Sequence, residues 1–407
     1  MKRKYISILV LALCLMLSAC DGKDEGKISE KEPVENEIFL SDGSETEIQE
    51  DSKNEELLEL CSDIYKNIDP SEENSKAIKQ LVDALGEKGY TAIDSENLID
   101  MTHSDHVKDF LSKKETGEKS DVSIVRVSYS GGLFVYDLQT ENSEVSIRQT
   151  CYQCQNGEFL ETMSSELAVT FFEYTKEGYL VFEGSFYSPE QYVLTMSEGN
   201  EHAAIRVDAL DPECRELCEK YLRPISYGLN NVFITEWNSG DFGELDFYDV
   251  FALFYSEVYQ EDFPYLSNAD LSVGNEYYVQ ASEFEKVIMK HFDVTAQELQ
   301  STLRYEPNKE AYIFRPRGFY EHDYAKIPSP EVVSYTENND GSLTLLVNAV
   351  YANENTSRLF SHEVTVKDSD EGFYYLSNHI IDEKLPELWW HSERLTDEEW
   401  KDYYQTN

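Results

Sequence analysis

Beyond the first twenty residues the chain carries Cys61, Cys151, Cys154, Cys214 and Cys218. "CYQCQNG" sets Cys151 and Cys154 at C-x-x-C spacing beside an Asn-Gly turn, the outline of a zinc knuckle. Cys214 and Cys218, four residues apart on one helical face, could complete a Cys₄ tetrahedron. Disulfides are the competing chemistry. A bond between Cys214 and Cys218 inside one helix is strained, whereas links between the two pairs are easier to build and suit an oxidising compartment. Buried, unlinked thiols are the third reading, and the odd count leaves one thiol over, with Cys61 on the apolar face of its helix. The sequence orders these as thiols or disulfides first and zinc second. Redox catalysis comes last, because a reactive C-x-x-C sits at a helix N-terminus and this one sits on a strand.

His103, Asp105 and His106, in "THSDH", could supply half a metal site at a helix start or could simply be an exposed cap. The zinc-protease arrangement H-E-x-x-H is absent, as is a Gly-rich phosphate loop; "SYSGG" is a turn and not a nucleophile elbow. No cofactor is expected. With 80 acidic residues, paired carboxylates for glycoside hydrolysis arise by chance, so their spacing carries no signal. "KDSDEGF" misplaces the glycine of a calcium loop and has no closing Glu, so a hairpin turn is expected there. In "LPELWWHSE", Trp389 and Trp390 point apart, one toward the core and one over a seam. A stacking platform for a ligand is the minor alternative.

The elements that would hold these side chains follow from periodicity. Leu57, Leu58, Cys61, Ile64 and Tyr65 fall at helical spacing, and a second helix capped by Ser71 carries Ile78, Leu81, Val82 and Leu85. A third, shorter one carries Val107, Phe110 and Leu111. From Asp121 the period becomes two. "DVSIVRVSY", "LFVYDLQT", "EVSIRQTCYQC", "EFLETM", "LAVTFFEYT", "GYLVFEGSFY", "QYVLTM" and "AAIRVDAL" give a meander of about eight antiparallel strands, with Asn156-Gly157 the clearest turn. Helices return at Pro212 and at Phe247 to Gln260, which is apolar nearly all round and hence buried or an interface. Ser282 and Thr295 are expected to cap two more. After Pro330 come "EVVSYTEN", "SLTLLVNAVYA", "HEVTVKD" and "FYYLSNHII", then a short helical tail. The fold class is α+β: two domains, 56–208 and 209–407, each with N-terminal helices followed by an antiparallel β-meander sheet.

The start of the chain is of another kind. Lys2, Arg3 and Lys4 precede an apolar run from Tyr5 to Ala19, which the polar segment from Asp21 stops short of a membrane span. Leu17-Ser18-Ala19-Cys20 resembles the lipobox of bacterial lipoproteins. That resemblance implies cleavage between Ala19 and Cys20 and a diacylglyceryl group on Cys20, with 1–19 a signal peptide. Two acyl chains hold a protein stably on a bilayer where one does not. Residues 20–55, acidic and polar, read as a lipidated cysteine followed by a disordered tether of about 30–35 Å as a flexible coil.

Thirty-four Lys and Arg against 80 Asp and Glu leave a formal charge of −46. Such a body repels phosphate backbones and lacks the cation patch that drives nucleic-acid binding, so nucleic-acid partners are excluded. "EKGYTAIDSENLIDM", "EYTKEGYLVFE", "ALDPECRELCEKYLRP" and "NNDGSLTLLVNAVY" resemble an uncharacterised family of Gram-positive lipoproteins. The resemblance implies a lipid-anchored protein on the extracytoplasmic face of the cell membrane and brings no catalytic residue. The expectation is a non-catalytic binding or envelope-associated module, whose partners are the membrane, through the lipid, and a protein or cell-wall glycan. The alternatives are the solute-binding component of an ABC transporter, and a cell-wall-active hydrolase or metalloenzyme.

Overall fold

The computed structural model describes residues 45–67, 74–187, 191, 193–194, 199–268, 274–318, 326–370, 372–388 and 390–404. Ala19, Cys20, the signal peptide, most of the expected tether, the Ser71 cap and Trp389 lie outside the described residues. Lys53–Asn407 form one compact unit. The expected tether ends earlier than residue 55, because α1 spans Glu45–Asn67; Glu, Gln and Lys are good helix formers, so an acidic, polar segment is not by composition a coil.

The architecture is mixed α+β, built largely of antiparallel strands. In the first half α2 (Asn74–Glu87) leads into β1 (Thr91–Asp94), and α3 (Ser104–Thr116) crosses over to β2 (Ser120–Val127), which pairs parallel with β1. This short parallel crossover is not foreseen by the alternation, since β1 is buried along its whole length and shows no period of two. From β2 the chain meanders antiparallel through β3 (Gly132–Glu141), β4 (Glu144–Gln155), β5 (Glu158–Tyr174), β6 (Tyr179–Ser185) and β7 (Asn200–Arg206), in the spatial order β1 to β7. The β4–β5 turn is the two-residue kind, with Asn156 and Gly157 both at positive φ (54° and 84°) and Gln155 opposite Glu158.

Two expected strands, "EFLETM" and "LAVTFFEYT", are one 17-residue strand, β5. Its first part pairs with β4 and its second with β6, across bulges opposite Cys151/Tyr152 and at Val169/Phe171. Such bulges bend a strand without ending it. The described residues of the expected strand "QYVLTM" do not form a strand. Gln191, Val193 and Leu194 are helical, because β6 already pairs with β7 from Ser185↔Asn200 onward and leaves the connection no ladder to join.

Side chains alternate between the two faces of this sheet. Ala92, Val125, Val135 and Tyr152 meet Leu57, Cys61, Leu81 and Leu85 of α1 and α2, while Ile93, Ile124, Tyr136 and Leu138 meet Val107 and Phe110 of α3. The sheet curls far enough for Leu180, Phe182 and Ile205 to join the α3 side.

The second half opens with α4 (Pro212–Leu217), capped by Asp211, whose carboxylate accepts from Glu213 N, and a π turn over Cys218–Leu222. β8 (Trp237–Asn238) joins the edge of a five-stranded sheet with β12 (Ser329–Glu337), β13 (Leu343–Val350), β14 (Ser361–Ser369) and β15 (Gly372–Ile380), in the order β12-β13-β14-β15-β8. A three-stranded sheet holds β9 (Tyr277–Gln280), β10 (Tyr305–Glu306) and β11 (Ala311–Phe314). Between them α5 (Phe247–Tyr259) is buried on most of its surface, as its all-round apolar sequence requires.

The next helix, α6 (Ala281–His291), begins without the expected Ser282 cap. β9 runs directly into it, and Ala281 N donates to Glu310 O at 2.8 Å. Thr295 caps α7 (Ala296–Thr302) in a full capping box with Glu298. The tail ends in α8 (Asp397–Tyr404), with Trp400 buried and the Arg315 guanidinium 4.9 Å from its ring. Trp390 is also buried, 5.3 Å from Tyr351.

Candidate functional site

Asp94, fully buried at the end of β1, organises one wall of the cavity described below. Its carboxylate accepts from the backbone N–H of Glu96 (3.0 Å), Leu98 (3.0 Å) and Ile99 (2.8 Å), which wraps the loop 95–99 around a single side chain. Asn97 then docks that loop on β7. Its amide donates to Ala204 O (3.1 Å) and accepts from Arg206 N (2.9 Å), so a side chain satisfies the open edge of the sheet. Arg215 of α4 donates to Asn97 O and, at 2.5 Å, to Asp100 Oδ1, tying the second half of the chain to the same loop.

A second set of contacts crosses between the sheets. Arg206 on β7 meets Glu331 on β12 at 2.7 Å, and Tyr179 of β6 donates to the other carboxylate oxygen at 2.6 Å. The guanidinium also lies 5.1 Å from the Tyr179 ring. All three side chains are buried. Burial raises the Glu331 carboxyl by more than Arg206 and Tyr179 pull it down, and burial raises Tyr179 further. Tyr179, Val181, Ala204 and Val350 form a small apolar cluster there, joining the two sheets.

These contacts enclose a cavity of about 250 Å³. Ser95 to Leu98, Arg126 and His202 line it from the first half, with Arg215 and Cys218 on α4 and the π turn. Lys326, Ile327, Ser329 to Glu331 and Val350 to Asn353 close it from the second half. Leu98 and Arg215 also border an open groove beside α2 and α4. Arg126 is half-buried; it donates to Ser95 O at 2.8 Å and to the Tyr136 hydroxyl at 3.4 Å. His202 Nδ1 is buried with no hydrogen-bond partner among the described residues. Cys218 donates its thiol to Pro330 O at 3.2 Å, and burial pushes its pKa up to about 11, which leaves it a weak nucleophile at neutral pH.

The cysteines singled out by spacing do not form one centre. All five body thiols are free. Cys151 and Cys154 are three apart on β4 and so face opposite sides of the sheet. Cys154 packs with the α1–α2 side, while Cys151 feels the charge of Glu201 on the other. Among the described residues no four thiols meet, and the Cys₄ tetrahedron and the cross-links between pairs are both corrected to separate thiols. Burial lifts Cys61 to about 12 and Cys151 to about 11.

His103, Asp105 and His106 do lie within 4.8 Å of one another, exposed, at the start of α3. His103 is the N-cap residue in left-handed conformation, and its Nε2 bonds Gly86 O at 2.8 Å; His106 Nδ1 bonds Thr91 Oγ1 at 3.1 Å. The Asp370 turn of "KDSDEGF" joins β14 to β15, and Asp368 is taken by Lys220 and Tyr221.

The cavity residues Arg126, Arg215 and Glu331, and Arg206 that pairs with Glu331, are not singled out by sequence spacing. A signal existed: Arg126 interrupts "SIVRV" and Arg206 ends the apolar run "AAIR", each a charge directly beside buried apolar residues.

Residues 46–394 fit a family model described as "Family of unknown function (DUF6070)". No curated protein and no solved structure matches.

Proposed function

Because the chain belongs to this family of unknown function, which brings no activity with it, we propose a function from the cavity: a membrane-anchored extracytoplasmic lipoprotein that binds a small ligand at the seam between its two largest sheets. The observation that carries the reading is the cavity itself, concave, part apolar and set with converging polar groups from both halves. That combination marks small-molecule sites. Cys20 would hold the body on the outer face of the membrane through its lipid, and the binding face would stand clear of the bilayer.

The solute-binding component of an ABC transporter is the second reading. The cavity's place between two sheets favours it. Against it, β1–α3–β2 is the one parallel crossover among the described residues. A hydrolase or metalloenzyme would need a free acid–base pair, and Glu331 in the cavity is already held by Arg206 and Tyr179.

Native mass spectrometry of protein purified from its host tests binding. The expected result is a small non-covalent adduct on the wild type that Ala352→Trp, which fills the cavity, removes. Identical spectra for the two would contradict it.

A further inference from the structure

Resting on the cavity as a binding site, we propose that it receives an oxyanion: the carboxylate or phosphate group of a small organic molecule, held by Arg126 and Lys326. Among the described arginines every one but Arg126 makes an ion pair with a carboxylate. Arg206 has Glu331 at 2.7 Å and Arg215 has Asp100 at 2.5 Å. Even Arg223, nearby, has Glu96 at 3.7 Å and Glu219 at 3.1 Å.

Arg126 and Lys326 are the exceptions on the cavity wall. Neither makes an ion pair among the described residues. The partners of Arg126 are a carbonyl and a hydroxyl, with Tyr136 standing between it and Glu201 at 2.7 Å from that carboxylate. A half-buried guanidinium without a counter-ion is costly, and its planar fork matches carboxylate and phosphate geometry. His202 adds a third group, with a buried ring nitrogen that no hydrogen bond satisfies among the described residues.

The same bookkeeping disfavours a cationic ligand. An amine would need an unclaimed carboxylate, and Glu331 and Glu96, the two that line the cavity, are both partnered. Size narrows the class further. At roughly 30 Å³ per water, about 250 Å³ is the space of some eight waters, so the anion is small or is the charged end of a longer molecule lying in the adjoining groove.

Calorimetric titration of the full-length protein tests this with inorganic phosphate, succinate, glucose and 1,4-diaminobutane as probes. Phosphate or succinate is expected to bind, the better of the two naming the source of the oxyanion, while the neutral and cationic probes give no heat. Arg126→Gln should weaken the anion roughly tenfold or more, as loss of a charged hydrogen bond does. Lys326→Gln, exposed at the rim and harmless to folding, should weaken it severalfold. Anion binding unchanged in both variants would overturn the proposal, as would wild-type protein that binds no anion. Glucose binding that Ala352→Trp abolishes and Arg126→Gln spares would overturn the oxyanion while leaving the cavity a binding site. No probe bound, with no adduct in native spectra, would remove both.

Discussion

Burying an imidazole couples its protonation to the fold, and His362 is buried completely. Tyr227 and Asn378 occupy its two ring nitrogens at 2.8 and 2.6 Å. Burial lowers its pKa from 6.5 to about 4, against a smaller upward pull from Asn378. His291 is lowered to about 4 as well, by burial first, with Glu257 opposing. Below the ordinary histidine range the unfolded chain therefore binds protons that the folded chain refuses. Stability is whole above pH 6.5 and is lost as pH falls toward 4. For His362 the shift corresponds to up to about 3 kcal/mol. Urea midpoints should drop between about pH 7 and about pH 5, and His362→Gln should flatten that slope whatever it does to the absolute stability. A wild-type midpoint constant across the window would contradict this assignment.

At the level of elements, the N-terminus of α5 is the anchor of the second half. Asp246 caps it, accepting from Tyr248 N at 2.8 Å, and Asp249 one turn on is buried among two arginines from distant segments. Arg317 reaches it at 2.5 and 2.9 Å and Arg394 at 2.5 Å, so one carboxylate joins a helix, the strand-exit loop and the chain's tail. Burial pushes Asp249 up, but Arg394 and Arg317 outweigh it and hold the carboxyl below its usual value. Asp249→Asn leaves two buried guanidinium groups short of a charge and should cost about 3–5 kcal/mol, read as a fall in the urea midpoint. A change under about 1 kcal/mol would show the cluster to be solvated.

Which elements could be read from the sequence follows from the range of the forces involved. The Asn156-Gly157 turn, the Thr295–Glu298 capping box and the apolar α5 are set by residues within a few positions of one another, and each stands where its local chemistry puts it. β1, β8 and β10 are two to four residues long and owe their strand form to partners far along the chain. The cavity was illegible for the same reason: Arg206 and Glu331 are 125 residues apart, and no spacing rule connects them.

Taken as a whole, the molecule opposes a strongly acidic surface, −46 overall, to a seam where cations gather. A net charge of −46 repels an anionic ligand at long range, but salt confines that repulsion to about 8 Å, within which the cavity's own arginines decide. The two large sheets are joined by the buried Arg206–Glu331 ion pair and a small apolar cluster, and the loop 95–99 reaches from β7 to Arg215 of α4. The proposed place of the molecule rests on the chain being fixed outside the cell through Cys20. Metabolic labelling with a clickable palmitate measures that directly. Wild-type protein should carry the label and sediment with membranes, while Cys20→Ser should lose both the label and processing. An unlabelled wild type, or a Cys20→Ser variant that is processed and membrane-bound as before, would contradict it.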